Sequence, residues 1–134
     1  MTKATRIRWK HPLNHDAFNV LCRSLPATTW VMQWGGSQVW KVGSKVFAIG
    51  GRAMDRPSYT FKVSALSYEI LKDQPGLRPA PYLASRGLKW IQHYADPGLC
   101  DDDLAAYLTQ SYQIVFSGLS KKQQRELVLS SPKP

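Results

Sequence analysis

Residues 39–51 read VWKVGSKVFAIGG, and this run decides the fold. Two stretches rich in Val, Trp, Phe and Ile flank Gly43-Ser44. Glycine at the first central position suits a two-residue II′ turn, whose twist matches that of the strands it joins. Such a turn sets Val42 opposite Lys45, Lys41 opposite Val46, Trp40 opposite Phe47 and Val39 opposite Ala48. Trp40, Val42, Phe47 and Ile49 then share the core side, because side chains alternate along a strand. Lys41 points the other way. One sheet face is thus expected to be apolar and the other positively charged.

Working outward, Asn14 is placed to cap a helix to about Leu25, with Phe18, Leu21, Cys22 and Leu25 on one stripe and Pro26 closing it. Thr28 to Gln33 reads as a strand, and Trp34-Gly35-Gly36-Ser37 as the turn into the hairpin. Gly50 to Pro57 reads as a loop carrying Arg52 and Arg56. Tyr59 to Val63 alternates, so an inward Tyr59, Phe61 and Val63 puts Lys62 on the face of Lys41. Ser64 caps a short helix to about Asp73, with Leu66, Ile70 and Leu71 inward. Leu77 to Gly87 is a Pro-rich connection with Arg78, Tyr82 and Arg86. Leu88 to Tyr94 is the last strand, with Leu88 and Trp90 inward and Lys89 and His93 outward. Asp101, Asp102 and Asp103 open the strongest helix, where carboxylates complement the exposed N–H groups. Its stripe is Leu104, Leu108, Tyr112 and Val115, and Gly118 stops it. Ser120 to Gln123 matches a capping box for one more helix.

Strands in the middle with helices at the ends and between give an α+β class: an antiparallel sheet with helices packed on one face. At 134 residues the chain reads as a single domain over 1–134, with a core of about 13–127, a basic arm 1–12 and a loose tail 128–134. The formal charge is +9. Residues 1–95 hold 14 basic and 4 acidic residues, and residues 96–120 hold 4 acidic and no basic ones. A basic body of this kind favours a polyanionic partner, nucleic acid before membrane. Cys22 and Cys100 make no disulfide framework. With no apolar leader and no bilayer-length run, the expected setting is the reducing cytoplasm, away from membranes.

Catalytic and metal readings find little to stand on. Pro12 lies between His11 and His15, so the two do not share a helical face. Asp101 to Asp103 are consecutive, and consecutive helix positions diverge around the axis. Trp34-Gly35-Gly36-Ser37 lacks the lysine and following helix of a phosphate loop. No G-x-S-x-G, Cys/His nucleophile pattern or paired-carboxylate cleft is legible. The chain is therefore expected to have no catalytic residue, no metal site and no cofactor.

Several segments resemble the MmcQ/YjbR family: Ser24-Leu25-Pro26, WKVGSKVFAI from Trp40, FKVS from Phe61, PGLRPAPYL from Pro75, LKW from Leu88, and SYQIV from Ser111 followed by Leu119-Ser120-Lys121-Lys122. Their order and spacing cover about Leu13 to Leu127. Ala65 departs from the pattern, where Pro or an acidic residue is expected. The resemblance implies a CyaY-like α+β fold and a proposed double-wing DNA-binding role. Iron binding of the frataxin type is expected to use an acidic ridge on the first helix, which here carries only Asp16.

The functional expectation is thus a non-enzymatic DNA-binding protein that contacts the phosphate backbone through a basic sheet face and hairpin tip. Lys41, Lys45, Lys62, Arg86 and Lys89 form the expected nucleic-acid footprint. The alternative is a protein- or small-ligand-binding module, with a pocket bordered by Lys62, Tyr82 and Trp90.

Overall fold

The computed structural model describes residues 14–33, 35–81, 83 and 87–130. Expectations that fall on the arm 1–12, Trp34, Tyr82, Arg86 and the last four residues lie outside the described residues. The element order is α1 (His15–Ser24), β1 (Thr28–Gln33), β2 (Ser37–Val42), β3 (Lys45–Ala53), β4 (Arg56–Lys62), α2 (Ala65–Leu71), β5 (Leu77–Pro79), β6 (Trp90–His93), α3 (Asp101–Ser117) and α4 (Lys121–Ser130). The strands form one six-stranded antiparallel sheet in the order β1-β2-β3-β4-β6-β5. Helices pack on one of its faces, as the α+β reading anticipates.

The helix caps are the expected ones. Asn14 accepts from the Ala17 N–H, Ser64 from the Ser67 N–H and Ser120 from the Gln123 N–H. Each occupies an orphan donor of a first turn. On α3, Leu104, Leu108 and Val115 are buried, and Tyr112 packs against the core from its margin. Helix α2 differs from expectation. Only Leu71 is buried there, whereas Leu66 is 72% exposed and Ile70 54% exposed. Seven residues make about two turns, and this short helix meets the sheet only along the line of Tyr68 and Leu71.

The central hairpin carries one irregularity. Val42 faces Lys45 and Lys41 faces Val46 as the turn dictates, but Trp40 then faces Ala48 and Val39 faces Ile49. Phe47 is an extra residue, a β-bulge. Trp40, Val42 and Phe47 all reach the core, and Ala48 joins them. Ile49 is displaced to the opposite face, which corrects the inward position that a regular register gives it. The bulge leaves backbone groups of Phe47 and Lys62 without each other. Ser111 of α3 fills the gap: its hydroxyl accepts from the Lys62 N–H at 2.8 Å and donates to the Phe47 carbonyl at 2.6 Å.

Residues 50–57 are a second hairpin rather than a loop. Strands β3 and β4 pair as far as Ala53 opposite Arg56, closed by Met54 and Asp55, both at positive φ. Such turns favour Gly, Asn and Asp, so a Met at the first position hides this one in the sequence. Pro57 is tolerated because β6 begins pairing with β4 only at Tyr59, leaving that flank of β4 free of a ladder partner. Likewise Leu77–Pro79, read as connection, is a short edge strand on β6.

Alternation now sorts the sheet into two faces. One row, on the helix side, runs Trp30, Trp40, Ala48, Phe61, Ile91 and Pro79. Its neighbour on the helix-free side runs Val31, Val39, Ile49, Thr60, Gln92 and Arg78. Strand β6 is thus in the opposite phase to the one expected. Ile91 enters the main core and His93 pairs opposite Tyr59 on the helix side, while Trp90 shares the helix-free side with Lys62. Trp90 is nonetheless only 8% exposed. With Val39 and Ala80 it is buried apart from the main core cluster. The helix-free face is therefore not bare: Ala80, Pro81 and Leu83 lie beside its Ile49 and Thr60. Leu88 is exposed rather than inward.

Candidate functional site

The six strands contain Lys41, Lys45, Arg52, Arg56, Lys62 and Arg78 and no Asp or Glu. Every acidic residue of the chain lies in a helix or a connection. Strand formation explains part of this, since Asp and Glu are depleted in strands. The strands themselves thus carry cations and no anion, although Arg56 is paired with Asp96 of a connection.

Of the expected footprint, Lys41 and Lys62 do share the helix-free side. Lys41 alternates with Trp40 and Val42, and Lys62 alternates with Phe61 and Val63, all four of which are core residues. Both lysines are half-buried, with long stems able to lie along the sheet while the ammonium reaches water. Lys45 is exposed beside the Gly43-Ser44 turn. That turn is not a free wing tip. A Cβ placed on Gly43 would lie 3.1 Å from Leu119 and 3.4 Å from Leu127, so the second half of α4 and the connection before α4 back the turn. The free tip is the second one, where Met54 is 72% exposed between Arg52 and Arg56. Lys89 is not with Lys41 and Lys62. It has the phase of Ile91, and its ammonium sits 4.8 Å from the centre of the Tyr68 ring on α2. Arg86 and Tyr82 lie outside the described residues. Among the described residues, no carboxylate lies within 4 Å of Lys41, Lys45, Lys62, Arg78 or Lys89, whereas Arg56 pairs with Asp96 at 2.9 Å.

A groove of about 560 Å³ opens on the helix-free face. Ile49, Thr60 and Gln92 form its floor, Arg78 one side, and Pro81 and Leu83 a wall. Arg78 is held firmly. Its Nε donates to the Gln92 side-chain oxygen at 2.7 Å, and its guanidinium carbon lies 4.3 Å from the centre of the Tyr94 ring. This groove is not the pocket expected at Lys62, Tyr82 and Trp90: it lies one row along the sheet, at Thr60 and Gln92, and Lys62 does not line it. Trp90 does not line it. Sequence reasoning missed Ile49, Thr60, Gln92 and the role of Arg78. The first follows from the bulge, and the others from the unrecognised pairing of β5 with β6.

A second cavity, of about 380 Å³, lies on the helix side of β4 and β6 and is lined by Arg56, Tyr59, His93, Asp96 and Asp101 among others. Both ring nitrogens of His93 are buried, and among the described residues neither has a partner within hydrogen-bond geometry. Desolvation lowers its pKa, with weaker opposing contributions from Leu99 and from Asp96 and Asp101. Gly98, at φ +53, closes over the imidazole, where a Cβ would collide with Nε2. The Arg56 guanidinium holds the Asp96 carboxyl below its ordinary range. Burial raises the Cys22 thiol well above its usual value, so it is a packing residue rather than a nucleophile. Among the described residues no group of three or more His, Cys, Asp or Glu is placed to hold a metal ion. No helix among them is long and apolar enough to cross a membrane.

The fold is similar to the crystal structure of Deinococcus radiodurans protein DR2400, which carries a DUF419 domain. The two chains share 22% identity at a TM-score of 0.73, over 86% of this chain and 88% of that one. No curated protein matches the sequence significantly. The YjbR family model matches residues 23–114, from the end of α1 into α3. That span contains the whole sheet with its bulge, its basic strands and its groove, and the chain belongs to the YjbR family.

Proposed function

We propose that this protein binds DNA through its phosphate backbone. Lys41 and Lys62, which share the helix-free side, form the centre of the contact, with Lys45 at the hairpin end and Arg86 extending it. The observation that carries this reading is the strand composition: a six-stranded sheet with six cationic side chains and no anionic one. A surface of one sign attracts a polyanion and releases its counterions on binding. The lysines have no carboxylate to satisfy them internally among the described residues, so a phosphate is not competing with an existing partner.

The test is fluorescence anisotropy on labelled DNA across a salt series, with heparin as competitor. Binding that weakens linearly in log–log form and resists heparin at equal charge supports the reading. Heparin that competes equally well at every salt indicates charge without a site. No binding at low salt overturns the reading and moves a small ligand of the groove to first place.

A further inference from the structure

We infer that the groove on the helix-free face accepts an unpaired base, so that the preferred form of DNA is single-stranded. The inference rests on the nucleic-acid reading above and deepens it. The groove combines three features that suit a nucleotide. Its volume, about 560 Å³, lies within the range of small-ligand sites. Its floor and wall at Ile49, Pro81 and Leu83 are apolar and suit the face of a flat ring. Its polar groups are few: Thr60 and Gln92 on the floor, with Arg52 and Arg78 also lining it. Thr60 brings a hydroxyl. Gln92 spends its side-chain oxygen on Arg78, and among the described residues its amide N–H groups have no partner, which leaves them for a base edge.

Arg78 completes the arrangement. Its Nε bond to Gln92 and its stacking on Tyr94 fix the guanidinium plane and leave the two terminal nitrogens without a partner among the described residues. A guanidinium fixed in this way either stacks on a base or forks onto a phosphate, and little ordering is lost on binding. Lys62, two residues beyond Thr60, stands on the same face, ready for the neighbouring phosphate. A base inside a duplex stack shows only its edge in the grooves and cannot enter a cleft walled by Pro81 and Leu83. An unpaired base can, since its face is free to stack on the Arg78 guanidinium.

The experiment compares three labelled probes of equal length: a duplex, a single strand, and an abasic single strand that keeps the phosphates and lacks the bases. The variants are Ile49→Phe, which fills the floor, and Arg78→Gln, each checked for an unchanged far-UV spectrum and cooperative melting. The expected result is that the ordinary single strand binds at least tenfold more tightly than the abasic strand, and that both variants reduce this ratio to near one. Equal affinity for the ordinary and abasic strands overturns the inference and leaves backbone binding standing. A ratio that survives in both variants also overturns it, because bases are then read elsewhere. Failure of all three probes to bind at low salt removes the nucleic-acid reading itself, and the groove inference with it.

Discussion

Ser111 on α3 donates its hydroxyl to the carbonyl of Phe47, 64 residues away in sequence, at 2.6 Å, and both residues are fully buried. The same oxygen accepts from the Lys62 N–H. A helix side chain thus stands in for one rung of the β3–β4 ladder at the bulge. Ser111→Ala leaves two backbone groups unsatisfied in the core, at a cost of about 1–3 kcal/mol each. The expected outcome is a loss of about 2–4 kcal/mol in denaturant unfolding with an unchanged slope. A loss below about 0.5 kcal/mol would mean that water replaces the hydroxyl at this place.

Trp40 is the largest side chain at the junction of α1 and the sheet. Its indole N–H donates to Asn19 at 2.8 Å, and the Arg23 guanidinium lies 5.4 Å from the ring centre. Trp40→Ala should cost about 3–5 kcal/mol, the range for emptying an aromatic site in a core. Thermal melting followed by circular dichroism reads this directly. Asn19→Ala should cost less, since it removes two side-chain hydrogen bonds, to Trp40 and Gln38, and leaves the ring packed.

His93 predicts the acid side of the stability profile. Burial lowers its pKa below the ordinary 6.5, so the unfolded chain takes up a proton before the folded one does. Its contribution is intact above about pH 6.5, and stability falls as pH drops from there toward the lowered folded value. Asp96 and Asp101 oppose the shift and limit the fall. Urea unfolding between pH 5 and 8 should show a decline toward acid that His93→Gln flattens. A profile identical in wild type and variant would show that His93 is solvated in both states.

Lys41 and Lys62 test the proposed contact. Changing both to Gln should weaken DNA binding on every sequence alike. The duplex salt slope should become shallower by up to about 2 units, given about −0.9 per phosphate contacted. The matched control is Lys121 and Lys122 changed to Gln, which removes equal charge from the first turn of α4. Equal loss in the two double variants would assign the effect to net charge. The half-buried stems of Lys41 and Lys62 make a small loss of stability expected as well, so both proteins are compared well below their melting temperatures.

Local rules made much of the fold legible. The caps at Asn14, Ser64 and Ser120, the Gly43-Ser44 turn and the α3 stripe each depend on a few neighbouring residues, and each is found where its chemistry puts it. What escaped depends on distant partners. The bulge at Phe47 is stabilised by Ser111, which no hairpin rule includes. The Met54-Asp55 turn lacks its usual residues. β5 and β6 are too short to show a period, and their phase is set by pairing with each other and with β4. The candidate site divides in the same way. Lys41 and Lys62 follow from alternation beside strongly apolar neighbours, whereas Thr60, Gln92 and Arg78 meet only across three paired strands.

The extra residue at Phe47 acts as a phase shift along β3. Between the turn and Val46 the strand keeps the phase of the hairpin, and from Ala48 onward it runs one step out of it. A ladder without the shift would swing Ile49 toward the helices and turn Gly50 away from them. Gly50 is where the Phe18 ring lies, so close that a Cβ there would sit 2.6 Å from it. The two ends of β3 therefore respond differently to a change in length. A one-residue deletion between the turn and Ala48 is absorbed by the bulge, with the downstream phase kept. The same deletion beyond Ala48 inverts the strand, filling the place of the Phe18 ring and emptying the floor of the groove.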